Sequence, residues 1–165
     1  MATNLTKVAF LTYNTVGDPG EVANGWHERN GRRALVLQGP TNQWHLMRLI
    51  AGSTVGSSSK VDLAVAGQID NLWDSLLKAL PELDHVVIYV GIGGANRAIE
   101  LAAQLPPEKV TFLFCSCGRN SKIALMNEKV PGARLMETTF CGGCMQMLGL
   151  FTSFLENGDL KRPML

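Results

Sequence analysis

The chain has 165 residues, 46% of them hydrophobic and 18% charged, and a formal net charge of +1. That length and apolar content suit one domain, residues 1–165, with a core large enough to cover both faces of a sheet. Charge this evenly balanced excludes an electrostatic case for nucleic acid or an acidic membrane surface, and no apolar run nears the ~20 residues of a membrane-spanning helix.

Met1 to Lys7 carry no apolar segment of the secretory type, so the chain is expected in the cytoplasm, where thiols stay reduced. Val8–Tyr13 reads as the first strand. Asp18-Pro19-Gly20-Glu21 combines an N-cap, a proline at the first helical position and a capping-box acid, which predicts a helix stopping near Asn30-Gly31 with Trp26 and His27 inside it. Ala34–Leu37 is the second strand; Thr41 then caps a second helix whose first turn holds His45. Gly52 to Ser59 form a surface loop before a third strand, Val61–Ala66. Ile69, Leu72, Trp73, Leu76, Leu77 and Leu80 recur at helical spacing behind a cap at Asp70. The strands His85–Val90, Val110–Phe114 and Ala133–Phe140 follow, separated by helices, one of them capped at Asn120 or Ser121. The last helix, with Met145, Met147, Leu148, Leu150, Phe151, Phe154 and Leu155, is apolar on nearly every side. Core packing accounts for most of that stripe, and the surplus suggests an interface between copies of the chain, a homo-oligomer.

Short, nearly continuous apolar runs alternating with helical patterns are the signature of a parallel sheet covered on both faces. The expected fold is α/β: a doubly wound, mostly parallel six-stranded sheet with helices on both faces, a three-layer sandwich of the Rossmann or flavodoxin type.

Ligands of such sheets bind beyond the carboxyl ends of the strands, where loops lead into helix N-termini with free N–H groups. All four cysteines fall there. Cys115 and Cys117 follow the fifth predicted strand, and Cys141 and Cys144 the sixth. A thiol at a helix start meets the positive end of the helix dipole, which lowers thiol pKa values from ~8.5 toward 3.5–7.5 and favours the nucleophilic, metal-ligating thiolate. Four sulfurs from adjacent turns suit zinc or an iron–sulfur cluster. The C-x-C and C-x-x-C spacing is not that of paired zinc knuckles, and free cysteine is also a common buried packing residue.

Gly91, Gly93, Gly94 and Arg97 form a glycine-rich turn into a helix, suited to close approach by a phosphate or carboxylate, with Arg119 and Lys122 adding positive charge nearby. The dinucleotide fingerprint fails, because Asn96 stands at the third glycine position and the turn follows the fourth strand. His45 is the histidine best placed as an acid, base or ligand. His85 opens its strand at the opposite edge and reads as structural. Three functions follow: a metal or iron–sulfur centre on Cys115, Cys117, Cys141 and Cys144 beside a small anionic ligand; a thiol oxidoreductase or sulfur-transfer enzyme using Cys141 and Cys144; or an anion-binding module whose cysteines are inert.

Overall fold

The computed structural model describes residues 5–12, 22–38, 72–90, 95–116, 119–138 and 143–161. Strands β1 (Lys7–Thr12), β2 (Gly25–Arg29), β3 (Arg32–Gln38), β4 (His85–Val90), β5 (Val110–Cys115) and β6 (Arg134–Thr138) form one sheet in the order β2-β3-β1-β4-β5-β6. Every neighbouring pair is parallel except the β2–β3 hairpin. Helices α1 (72–79), α2 (Ala95–Ala102), α3 (Arg119–Lys129) and α4 (Gly143–Asn157) complete the described regular structure, with short 3-10 turns at Leu80–Glu82 and Pro107–Lys109. The α/β fold with a mostly parallel six-stranded sheet is therefore as expected. The strand predicted at Val61–Ala66 and the helix predicted around His45 lie outside the described residues.

All six residues of β4 are buried, and Val8 to Thr12 of β1 likewise, so both faces of the central strands are covered. Helix α4 lies over one face: Phe10 of β1 meets Phe151 edge-on at 5.8 Å and Phe154 at 6.1 Å. The register carries that face from Phe10 through Val87 to Thr111 and Arg134. Of the apolar stripe of α4, Met147, Leu150, Phe151, Phe154 and Leu155 are buried within the chain and Leu148 is half-buried. Among the described residues Leu77 is the one exposed large apolar side chain.

The expected first helix requires correction. Residues 25–29 are strand β2, and His27 and Trp26 lie on it rather than in a helix. Asn30-Gly31, read as a helix stop, is the two-residue turn of a hairpin: both residues have positive φ, 55° and 74°, as a type I′ turn requires. Beyond the ladder, the Asn24 amide prolongs the pairing, accepting from Gln38 N at 2.8 Å and donating to Gln38 O at 3.2 Å. His27 donates to the Ala23 carbonyl at 2.7 Å and packs edge-on against Phe151, while the Arg33 guanidinium stacks over Trp26. These contacts use the two side chains on opposite faces of the strand, an alternation that a helix cannot supply.

The amino edge fixes the far end of α4. Gly158, in the left-handed region at φ 73°, donates its N–H to Phe154 O, the αL ending of a helix. Asn30 and Arg32 donate to the Leu155 carbonyl, and Arg32 also to that of Glu156. A cation at these carbonyls meets the negative end of the helix dipole. A Cβ on Gly158 would come within 2.6 Å of Arg32 Nε, so the turn and its cap exclude a side chain there. Arg134 donates to Leu160 O and ties β6 to the segment after α4. At the start of β4, Asp84 Oδ2 accepts from Thr6 N, Thr6 Oγ1 and Lys7 N. Burial works to raise the Asp84 pKa, but these bonds, with the charge of Lys109, bring it below the usual carboxylate value.

His85 is structural, as its place at the opposite edge suggests. It is 3% exposed and shares a 2.6 Å hydrogen bond with Thr111 Oγ1. Burial, then the charge of Arg134, pushes its pKa down to about 4. An unfolded chain binds a proton at ~6.5, so stability is full above that pH and is lost as pH falls through about 4, by about 3 kcal/mol in all. Urea midpoints measured from pH 7 to pH 4 should fall in the wild type and fall much less in His85→Gln, which keeps a partner for Thr111. Parallel slopes would contradict this account.

Candidate functional site

Strands β5 and β6 end side by side. Cys115 closes β5 and stands in register with Thr138, the last residue of β6. From these ends the chain runs into α3, beginning at Arg119, and α4, beginning at Gly143 with Cys144 as its second residue. Cys117, Cys141, Gly91, Gly93, Gly94 and His45 lie outside the described residues, as do the side chains of Cys115 and Cys144. The backbone thus brings one member of each cysteine pair, Cys115 and Cys144, to described positions at the ends of these two units.

Around them the structure contains hydrogen bonds that the sequence did not suggest. Ser116 Oγ donates to the Thr138 carbonyl at 2.6 Å, and Thr138 Oγ1 donates to the Phe114 carbonyl at 3.3 Å. Two hydroxyl donors thereby continue the β5–β6 pairing beside the last rung of its ladder. Thr138 is buried, so its hydroxyl requires the partner it has. The Ser116 carbonyl accepts from Arg119 N at 3.1 Å, which joins the same bend to the start of α3.

Arg119, expected to serve an anion, has its guanidinium engaged. Nε lies 3.1 Å from Glu137 Oε1, and Nη1 donates to Asn120 Oδ1 at 3.4 Å. Helix α3 begins at Arg119, so the expected caps at Asn120 or Ser121 are already inside it. Arg97 is exposed near the start of α2, which packs against α3, and Lys122 is half-buried one turn into α3. The positive charge of this edge is therefore smaller than the cations suggest, because Glu137 offsets that of Arg119.

The sheet order locates a second position. Counted among themselves, the parallel strands run β3-β1-β4-β5-β6, so the chain steps to one side of β1 to reach β3 and to the other to reach β4. The gap between the carboxyl ends of β1 and β4 is the topological switch point, where doubly wound sheets open a crevice. In sequence, Gly91, Gly93 and Gly94 come directly after β4. Two strand spacings, ~10 Å, separate the switch point from the β5–β6 gap. Among the described residues, no three His, Cys, Asp or Glu side chains come together to hold a metal ion. Among the described residues, the buried indole N–H of Trp73 on α1 meets no hydrogen-bond partner.

No protein-family model, curated protein or solved structure matches this chain.

The Arg119–Glu137 pair is a solvent-screened contact, with side-chain exposures of 55% and 30%. Pairs of this kind contribute ~0–1 kcal/mol. Glu137→Gln should therefore shift the folding free energy by less than about 1 kcal/mol in urea denaturation. A loss of several kcal/mol would show that the pair holds the fold rather than the local geometry of the edge.

Proposed function

We propose that the carboxyl edge of β5 and β6 binds a metal ion or iron–sulfur centre through Cys115, Cys117, Cys141 and Cys144. The observation that carries this reading is the parallel pairing that sets Cys115 opposite Thr138. Adjacent strands lie ~4.8 Å apart, and a chain reaches at most ~3.6 Å per residue. On that reach Cys117 is within ~7 Å of Cys115, and Cys141 within ~11 Å of both Thr138 and Cys144, counted Cα to Cα. All four thiols are thus tethered to one short stretch of sheet edge.

Strand alternation adds support. Position 115 has the parity of Thr111 and Leu113 in β5, on the sheet face that α4 covers, and Cys144 stands in the first turn of α4. Thiolate is a soft ligand that selects zinc or iron–sulfur iron over magnesium or calcium. Metal and acid-labile sulfide analysis of anaerobically purified protein is expected to give about one zinc per chain, or iron with matching sulfide, and Cys144→Ser should lower the content. Wild-type protein free of both, with the fold intact, would overturn this reading and turn attention to the C-x-x-C pair as a redox couple.

A second reading is favoured by the switch point. A small ligand bearing a phosphate or carboxylate would sit between β1 and β4 against Gly91, Gly93 and Gly94, with Arg97 and Lys122 contributing positive charge from α2 and α3. This ligand would lie beside the thiols rather than on them, so the two readings are compatible.

A further inference from the structure

We infer that Ser116 and the Arg119–Glu137 pair are positioning groups that set the separation between the C-x-C and C-x-x-C segments. The inference rests on the thiol-site reading above and deepens it by naming what holds the two segments in register. Ser116 lies between Cys115 and Cys117 in sequence, at an exposed bend where the backbone alone would tolerate many residue types. Its hydroxyl nevertheless donates a 2.6 Å bond to the carbonyl of Thr138, three residues ahead of Cys141. Three residues further on, Arg119 reaches Glu137 at 3.1 Å, the residue before Thr138. Two ties therefore flank Cys117, and both end on the strand that leads into Cys141.

The ties differ in kind, and the difference indicates a division of labour. The Ser116 bond is short and directed at a backbone atom, so it fixes the height of the bend along β6. The Arg119–Glu137 pair is more exposed and joins the first residue of α3 to β6, so it limits how far the helix start can swing. The reciprocal bond from Thr138 Oγ1 to Phe114 O keeps the β6 end from sliding against β5. Groups that orient ligands without touching the metal typically change affinity by ~10–100-fold when removed. Arg119 in this role serves the site through geometry rather than as an anion ligand.

The test uses the full chain with Ser116→Ala, Ser116→Thr and Glu137→Gln, in two arms. In the first, anaerobic cobalt(II) titration is followed by the thiolate charge-transfer and ligand-field bands. Ser116→Ala is expected to weaken cobalt binding by ~10-fold or more and to alter the bands, with Ser116→Thr restoring both and Glu137→Gln giving a smaller effect. The second arm needs no metal. In a chain keeping only Cys115 and Cys144, the bifunctional reagent dibromobimane becomes fluorescent when it bridges two neighbouring thiols. Ser116→Ala should reduce bridging severalfold while leaving alkylation of each thiol by iodoacetamide unchanged.

Absence of a cobalt–thiolate spectrum in the wild type would refute the metal reading alone, and the bridging arm would still decide the positioning role. Bridging unaffected by Ser116→Ala, or absent even with Ser116 in place, would overturn the inference. Thermal melts of each variant separate a local change from unfolding.

Discussion

Pairing of β5 with β6 is the constraint on which the geometry of the candidate site depends. Strands with both faces buried must satisfy every N–H and carbonyl within the sheet, because an unpaired buried group costs ~1–3 kcal/mol. A slip by one residue would also turn each strand over, placing side chains built for one layer in the other. Phe112 and Phe114 on one face and Thr111 and Leu113 on the other are all buried, so β5 has no alternative register that keeps its apolar and polar side chains in place. The position of Cys115 opposite Thr138 is therefore a consequence of core packing along the whole strand.

Helix α4 conveys a second constraint from the opposite edge. Its C-terminal carbonyls are held by Asn30 and Arg32, its ending by Gly158, and its middle by the Phe10–Phe151–Phe154 cluster. A helix rises 1.5 Å per residue, so fixing the far end and the middle fixes the beginning as well. The first turn, with Cys144, is thus placed by contacts that lie ~10–20 Å away from it along the helix. The β2–β3 hairpin, remote from the thiols, contributes to their placement through the cap its turn provides.

The parallel strands were legible because a strand covered on both faces leaves a nearly continuous apolar run, as in Val86-Val87-Ile88-Tyr89-Val90. Helix 72–79 was legible from the spacing of Trp73 and Leu76, both buried in the structure. Strand β2 was not, since Trp26-His27-Glu28-Arg29 contains no such run and its polar residues suit an edge. The Asn30-Gly31 pair held the missing signal. Asn-Gly suits both a helix ending and a type I′ turn, and the strong capping pattern at Asp18 to Glu21 tipped the reading toward a helix. At the candidate site, the convergence of strand ends could be read from the order of elements, whereas the Ser116 and Thr138 bonds could not. A hydroxyl reaching a carbonyl on a neighbouring strand depends on register, and register belongs to the folded sheet. The engagement of Arg119 with Glu137 was hidden for the same reason, as the two residues are separated by a helix and a strand.

Under the proposed function, four thiolates from two adjacent strand ends share one centre. X-ray absorption at the metal edge of protein purified with its native metal tests this most directly. Four sulfur scatterers at ~2.3 Å, with or without a metal–metal distance characteristic of a cluster, are the result the account requires. A first shell of nitrogen and oxygen alone, or of only two sulfurs, would contradict a site built from both cysteine pairs.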